Sequence, residues 1–93
     1  MKKRIAILGS TGSIGKTTIE ILKKNKNKYK IVLLTSNKNI NELIKQAKFF
    51  TVKNLIVTDK KKFHLLKKKF VNKKINIFNN FNSFDKIFNN KID

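Results

Sequence analysis

The chain has 93 residues, enough for one small domain. It contains no cysteine, one histidine and five acidic residues. These counts exclude a disulfide scaffold and a thiolate metal site, and leave little for a metal cage or an acid–base pair. No apolar run approaches the roughly 20 residues that a membrane-crossing helix requires, and no signal-peptide pattern opens the chain, so a cytoplasmic protein with no membrane partner is expected.

Lysine and arginine total 23, for a net charge of +18. Lys, Asn, Ile and Phe together make 56 of the 93 residues, against no proline and no tryptophan. These four amino acids share AT-rich codons, so a biased base composition would produce the charge without a polyanionic partner, the competing reading being a selected polyanion-binding surface. The lysines are spread along the chain, from Lys2 and Lys23 through Lys45 and Lys60 to Lys91, rather than gathered into a stripe. Weak, non-specific nucleic-acid binding at low salt is expected from charge alone.

The first element is the apolar run Ile5 to Leu8 after Arg4, which ends at Gly9. Continuous apolar character predicts a strand covered on both faces. After a glycine-rich turn, helical spacing runs from about Ser13 to Lys24, with Ile14, Thr18, Ile21 and Leu22 expected on the inner side and Ile19 widening the stripe. A Lys/Asn loop precedes a second buried strand, Tyr29 to Thr35, rich in β-branched residues. Asn39 or Asn41 caps the next helix, which reaches about Phe50 through Ile40, Leu43, Ile44 and Ala47. Leu55 to Val57 is a third strand. Thr58 or Asp59 caps a lysine-rich helix that turns Phe63, Leu66 and Phe70 inward. Ile75 to Phe78 is a fourth strand, and Ser83 is placed to cap a last short helix through Phe84, Ile87 and Phe88. The alternation β-α-β-α-β-α-β-α predicts an α/β, Rossmann-like, three-layer fold built on a partial, truncated parallel sheet with right-handed crossovers.

The segment that carries chemistry is Gly9-x-x-Gly12-x-x-Gly15, between a strand and a helix. Gly9 permits the sharp turn, Gly12 lets a diphosphate approach the backbone, and Gly15 allows close helix–sheet packing. The helix N-terminus then aims free N–H groups at the phosphates, and Ser10, Thr11 and Ser13 add hydroxyl donors. Gly15-Lys16-Thr17 also looks like the end of a P-loop, but Ser10 stands where that motif opens with glycine. After the second strand comes Thr35-Ser36-Asn37-Lys38-Asn39, with no acid to hold the ribose hydroxyls of NAD. Hydroxyl and amide donors plus one ammonium suit a 2′-phosphate, so NADP is favoured.

The run Ile7 to Gly15, Lys38-Asn39 after the second strand, and the stretch Asn41 to Phe50 resemble the opening of 1-deoxy-D-xylulose 5-phosphate reductoisomerase. The likeness is strong over roughly the first 50 residues. It implies an NADPH-dependent enzyme, usually a homodimer requiring Mg²⁺ or Mn²⁺, that converts a phosphorylated sugar to 2-C-methyl-D-erythritol 4-phosphate in the non-mevalonate route to isoprenoids. By this resemblance Thr11, Gly12, Ser13 and Ile14 line the cofactor diphosphate, and Asn37, Lys38 and Asn39 lie near the adenosine end. Asn37 departs from the family's usual glycine, and asparagine tolerates a left-handed backbone there. Family members are several times longer, so residues 1–93 correspond to an incomplete N-terminal NADP-binding domain, with the catalytic and C-terminal domains absent and no activity expected alone. Glu20, Glu42, Asp59 and Asp85 are isolated on separate elements, so no catalytic and no metal residue is assigned. His64 is expected to pack, partly buried, beside Phe63 and Leu65. A second reading is a basic nucleic-acid module using Phe49, Phe50, Phe63 and Phe70, and a third is a P-loop hydrolase. Half of a doubly wound sheet also leaves an open edge strand and an apolar helix face, which favours aggregation.

Overall fold

A computed structural model of the chain describes residues 3–70, 74–82 and 87. Strands β1 (Lys3–Ile7), β2 (Tyr29–Ser36), β3 (Asn54–Val57) and β4 (Asn76–Phe78) alternate with helices α1 (Ser13–Lys23), α2 (Ile40–Phe50) and α3 (Lys60–Lys69). All pairings are parallel and the sheet order is β1-β2-β3-β4. The last helix expected from the sequence, with its Ser83 cap, Phe84 and Phe88, lies outside the described residues. Ile87 is described, helical and buried.

Each right-handed crossover steps one strand in the same direction, so the three helices share one face of the sheet. Ile19 and Leu22 of α1, Leu43 and Ala47 of α2, and Leu66 of α3 accordingly join one core cluster over Ile31, Leu34, Leu55, Val57 and Ile77. On the opposite face Leu33 and Ile56 pack with Ile87, and Ala6, Val32 and Phe78 border them. Strand residues are thus covered on both sides, as their unbroken apolar character requires. Among the described residues the second covering layer is represented by Ile87.

Local chemistry explains the joints. The β1–β2 register slips between Ile5 and Ala6, which pair with Ile31 and Leu33, so Val32 is an extra residue in β2. The Asn54 side-chain amide donates to the Val32 carbonyl at 2.9 Å, and Asn76 donates to Asn54 at 3.1 Å, which supplies the bulge with a polar partner. Asn39 caps α2 by accepting from the Glu42 N–H at 3.2 Å, and Asp59 caps α3 by accepting from the Lys62 N–H at 3.0 Å. The left-handed C-cap of α2 is Thr51, with φ 54° and ψ 49°.

The structure corrects two packing expectations. The buried face of α1 is Gly15, Ile19 and Leu22, whereas Ile14 and Ile21 are 86% and 57% exposed. Gly15 occupies the core position next to the sheet, which rotates the neighbouring isoleucines outward. His64 is exposed rather than partly buried, because Phe63 takes the inward position one residue earlier.

Candidate nucleotide-binding site

The turn after β1 is held from behind by β2. The Gly9 N–H donates to Thr35 Oγ1 at 2.8 Å, and the Ser10 N–H donates to the Thr35 carbonyl at 2.9 Å. Gly9 has φ +67°, a conformation that L side chains rarely adopt. The Gly12 N–H then donates to the Gly9 carbonyl at 3.1 Å, closing the turn, and Gly12 becomes the N-cap of α1.

Gly15 brings the helix against this turn. A Cβ there would stand 2.2 Å from the Gly9 oxygen and 2.6 Å from Ser10 Cα. At Gly12 the nearest atom to a built Cβ is the same oxygen at 3.5 Å, an ordinary contact, so the open side of the turn is free for a ligand. Gly12 brings no side chain to cap α1, and the first turn of the helix has no acidic residue. Its amides and the positive end of the helix dipole therefore face a groove of about 480 Å³ lined by Leu8, Gly9, Gly12, Ser13, Ile14 and Gly15. Such a cradle suits the oxygens of a diphosphate. A second cavity of about 230 Å³ lies at the other end of the sheet, beside Arg4, Lys30, Lys53 and Ile87. Dinucleotides bind at the carboxyl ends of parallel strands, which assigns the site to the glycine turn.

Thr11 Oγ1 and Ser36 Oγ share a hydrogen bond of 2.7 Å, which ties the turn to the loop after β2. Residues 11–14 and 37–39 are thereby brought to one end of the sheet. Gly12, Ser13, Ile14, Asn37, Lys38 and Asn39 are exposed and Thr11 is half-buried. The hydroxyl of Ser10 is not available as a donor, contrary to the sequence expectation: Ser10 is fully buried and its Oγ donates to the Thr35 carbonyl at 3.4 Å. Asn37 is not left-handed either, since among the described non-glycine residues only Thr51 has positive φ. Asn37 Oδ1 instead accepts from Thr58 Oγ1 at 2.8 Å, and its carbonyl accepts from the Asp59 N–H at 3.1 Å, joining the ends of β2 and β3.

Sequence reasoning passed over Gln46. It is 2% exposed on the core side of α2 and its Nε2 donates to the Ser10 carbonyl at 2.9 Å. Its signal is a polar residue three positions after Leu43 and beside Ala47, within a buried stripe. Among the described residues no group of three or more His, Cys, Asp or Glu could hold a metal, and no helix is long and apolar enough to cross a membrane. Of the aromatics weighed as a base-stacking platform, Phe70 is buried and Phe50 and Phe63 pack on the core. Phe49, 42% exposed, lies edge-on to Phe50, with Lys26 Nζ 4.7 Å above its ring.

A parallel α/β sheet with an uncapped helix N-terminus over a triple-glycine turn defines a Rossmann-like domain, whose groove has the chemistry to accept phosphate oxygens. Comparison with known proteins is more specific. Residues 5–92 match the family model described as 1-deoxy-D-xylulose 5-phosphate reductoisomerase. The enzyme of that name from Pelagibacter ubique is 55% identical over 93 aligned positions, covering 98% of this chain and 24% of the relative. That from Buchnera aphidicola subsp. Schizaphis graminum is 42% identical over 73 positions, covering 78% and 18%. A crystal structure of the reductoisomerase with NADPH, fosmidomycin and magnesium superposes with a TM-score of 0.83 at 26% identity, covering 98% of this chain and 23% of that one. The Zymomonas mobilis enzyme in complex with NADPH gives 0.81 at 24% identity and shares the fold. The chain belongs to the 1-deoxy-D-xylulose 5-phosphate reductoisomerase family, and it spans about a quarter or less of the length of these relatives. Neither the P-loop hydrolase nor the nucleic-acid module finds support among these matches.

Proposed function

We propose that this chain is the N-terminal, NADPH-binding part of a cytoplasmic reductoisomerase that converts 1-deoxy-D-xylulose 5-phosphate to 2-C-methyl-D-erythritol 4-phosphate. The observation that carries this reading is the uncapped N-terminus of α1, beside an open Gly12 and the groove. The backbone at Thr11, Gly12, Ser13 and Ile14 grips the diphosphate, with the Ser13 hydroxyl as a further donor. Asn37, Lys38 and Asn39 receive the adenosine end. The missing acid after β2 removes the usual ribose clamp of NAD, and Lys38 supplies positive charge for a 2′-phosphate.

NADPH, when bound, supplies the hydride that reduces the aldehyde formed by rearrangement of the sugar skeleton. This chain's residues hold and orient the cofactor and take no part in that transfer. The magnesium bound by a structural relative does not fit the described residues, whose acids are isolated. Metal ligands, sugar-phosphate contacts and a homodimer interface are assigned to the parts of the relatives with which this chain does not align, about three quarters or more of their length. These 93 residues by themselves are expected to hold the cofactor without turning over substrate.

Fluorescence titration of the chain with NADPH and NADH tests the assignment. NADPH should bind at least about tenfold more tightly, roughly 1.4 kcal/mol. Equal affinity for both, or substrate-dependent NADPH oxidation by this chain alone, refutes it.

A further inference from the structure

We propose that Gln46 is a positioning residue for the cofactor diphosphate, acting through the Ser10–Thr11 peptide. The inference rests on the NADPH reading and adds to it the group that fixes the direction of one phosphate donor. Gln46 Nε2 reaches across from α2 and donates to the Ser10 carbonyl at 2.9 Å, a contact between residues 36 positions apart in which both partners are buried. The peptide bonds are trans, so the carbonyl of Ser10 and the N–H of Thr11 point to opposite sides of one plane. Holding the carbonyl toward α2 therefore turns the Thr11 N–H away from α2, and the next residue along, Gly12, lines the groove together with Gly9.

The second observation is that Gln46 pays an unusual cost. Its Oε1 is buried and has no hydrogen-bond partner among the described residues. A residue selected for stability alone would not keep such an atom, since a methionine of similar volume removes it. Exchanging Gln46 for Met leaves the Ser10 carbonyl without its donor while removing the orphaned Oε1, one unpartnered group for another. Stability should therefore change little, while the peptide plane loses its anchor.

The experiment compares the chain with Gln46→Met and with Gln46→Glu, which keeps the shape but presents a carboxylate instead of a donor. Inorganic diphosphate and adenosine 2′-monophosphate are titrated separately, with Thr11 amide shifts followed by NMR and folding read from spectral dispersion. The expected result is a loss of about tenfold or more in diphosphate affinity, adenosine 2′-monophosphate affinity within about twofold, and disappearance of the Thr11 amide response. Unchanged diphosphate affinity in a folded variant overturns the proposal. Equal loss of both ligands also overturns it, because that is the signature of a merely structural role. If Gln46→Met does not fold, Gln46→Glu decides by the same criteria, and failure of both to fold overturns the proposal in favour of a structural role. Absence of diphosphate and NADPH binding in the unsubstituted chain overturns the cofactor reading together with this one, whereas normal binding there with unaffected variants overturns this inference alone.

Discussion

Gly15→Ala tests the packing on which the site depends. The added Cβ would lie 2.2 Å from the Gly9 oxygen, 2.6 Å from Ser10 Cα and 2.8 Å from the Ser10 carbonyl carbon, all backbone atoms. Ordinary contact begins near 3.4 Å, so α1 must retreat by about 1 Å. No flexible side chain is available to give way. Overpacking of this kind costs typically about 1–3 kcal/mol, and backbone neighbours place it at the upper end. Alanine regains about 1 kcal/mol of helix propensity over glycine, which leaves a net loss of about 2 kcal/mol. For a small domain each kcal/mol moves the midpoint by roughly 4–8 °C, so thermal unfolding by circular dichroism should fall by about 8–16 °C. The same retreat displaces the first-turn amides from the groove, so NADPH affinity should fall as well. An unchanged midpoint would mean that α1 slides away from the turn freely, and that close approach at Gly15 does not set the position of the phosphate cradle.

Gly12→Ala should separate binding from stability: its Cβ meets only the Gly9 oxygen at 3.5 Å, so stability changes by about 1 kcal/mol or less while NADPH affinity, read by fluorescence titration, drops about tenfold or more. Thr51→Gly relieves a β-branched residue at φ 54°; the left-handed cost of roughly 1–2 kcal/mol exceeds the entropic cost of glycine, so the midpoint should rise by a few degrees in thermal unfolding. Asp59→Ala removes the acceptor for the Lys62 N–H and leaves Lys60, Lys61 and Lys62 at the positive end of the α3 dipole, costing about 1 kcal/mol and lowering amide-exchange protection across residues 60–69.

The sequence made the strands and the glycine turn legible because each carries a direct physical signature. Unbroken apolar runs cannot face water, and Gly9 and Gly15 mark places where a Cβ is strained or has no room. The buried face of α1 was only partly legible, for the same reason in reverse. Glycine contributes nothing to hydropathy, so the apolar periodicity placed Ile14 and Ile21 inward along with Leu22 and Ile19, whereas packing centres on Gly15 and keeps only Ile19 and Leu22 buried. Ser10 shows a related limit, since a hydroxyl can be counted from the sequence but the β2 carbonyl that captures it cannot. Gln46 was missed because a polar residue in an apolar stripe weakens the pattern it belongs to, and its partner lies 36 positions away.

The sheet order also sets how the cofactor is divided between this chain and the rest of a binding site. Dinucleotides bind where successive crossovers reverse direction, yet β1 to β4 step one way only. The turn-bearing strand β1 is an edge strand among the described residues, paired with β2 alone, and Leu8 and Ile14 line the groove 57% and 86% exposed. On the proposed reading the described residues supply the phosphate cradle and the adenosine side, and no wall for the nicotinamide. Binding energy in this chain should come almost wholly from phosphates and adenosine. Adenosine 2′,5′-bisphosphate, which lacks the nicotinamide half and retains one of the bridging phosphates, should therefore bind within about tenfold of NADPH when the two compete by calorimetry. If NADPH bound more than about a thousandfold tighter, roughly 4 kcal/mol, one phosphate could not account for it, and this chain would have to hold the nicotinamide directly.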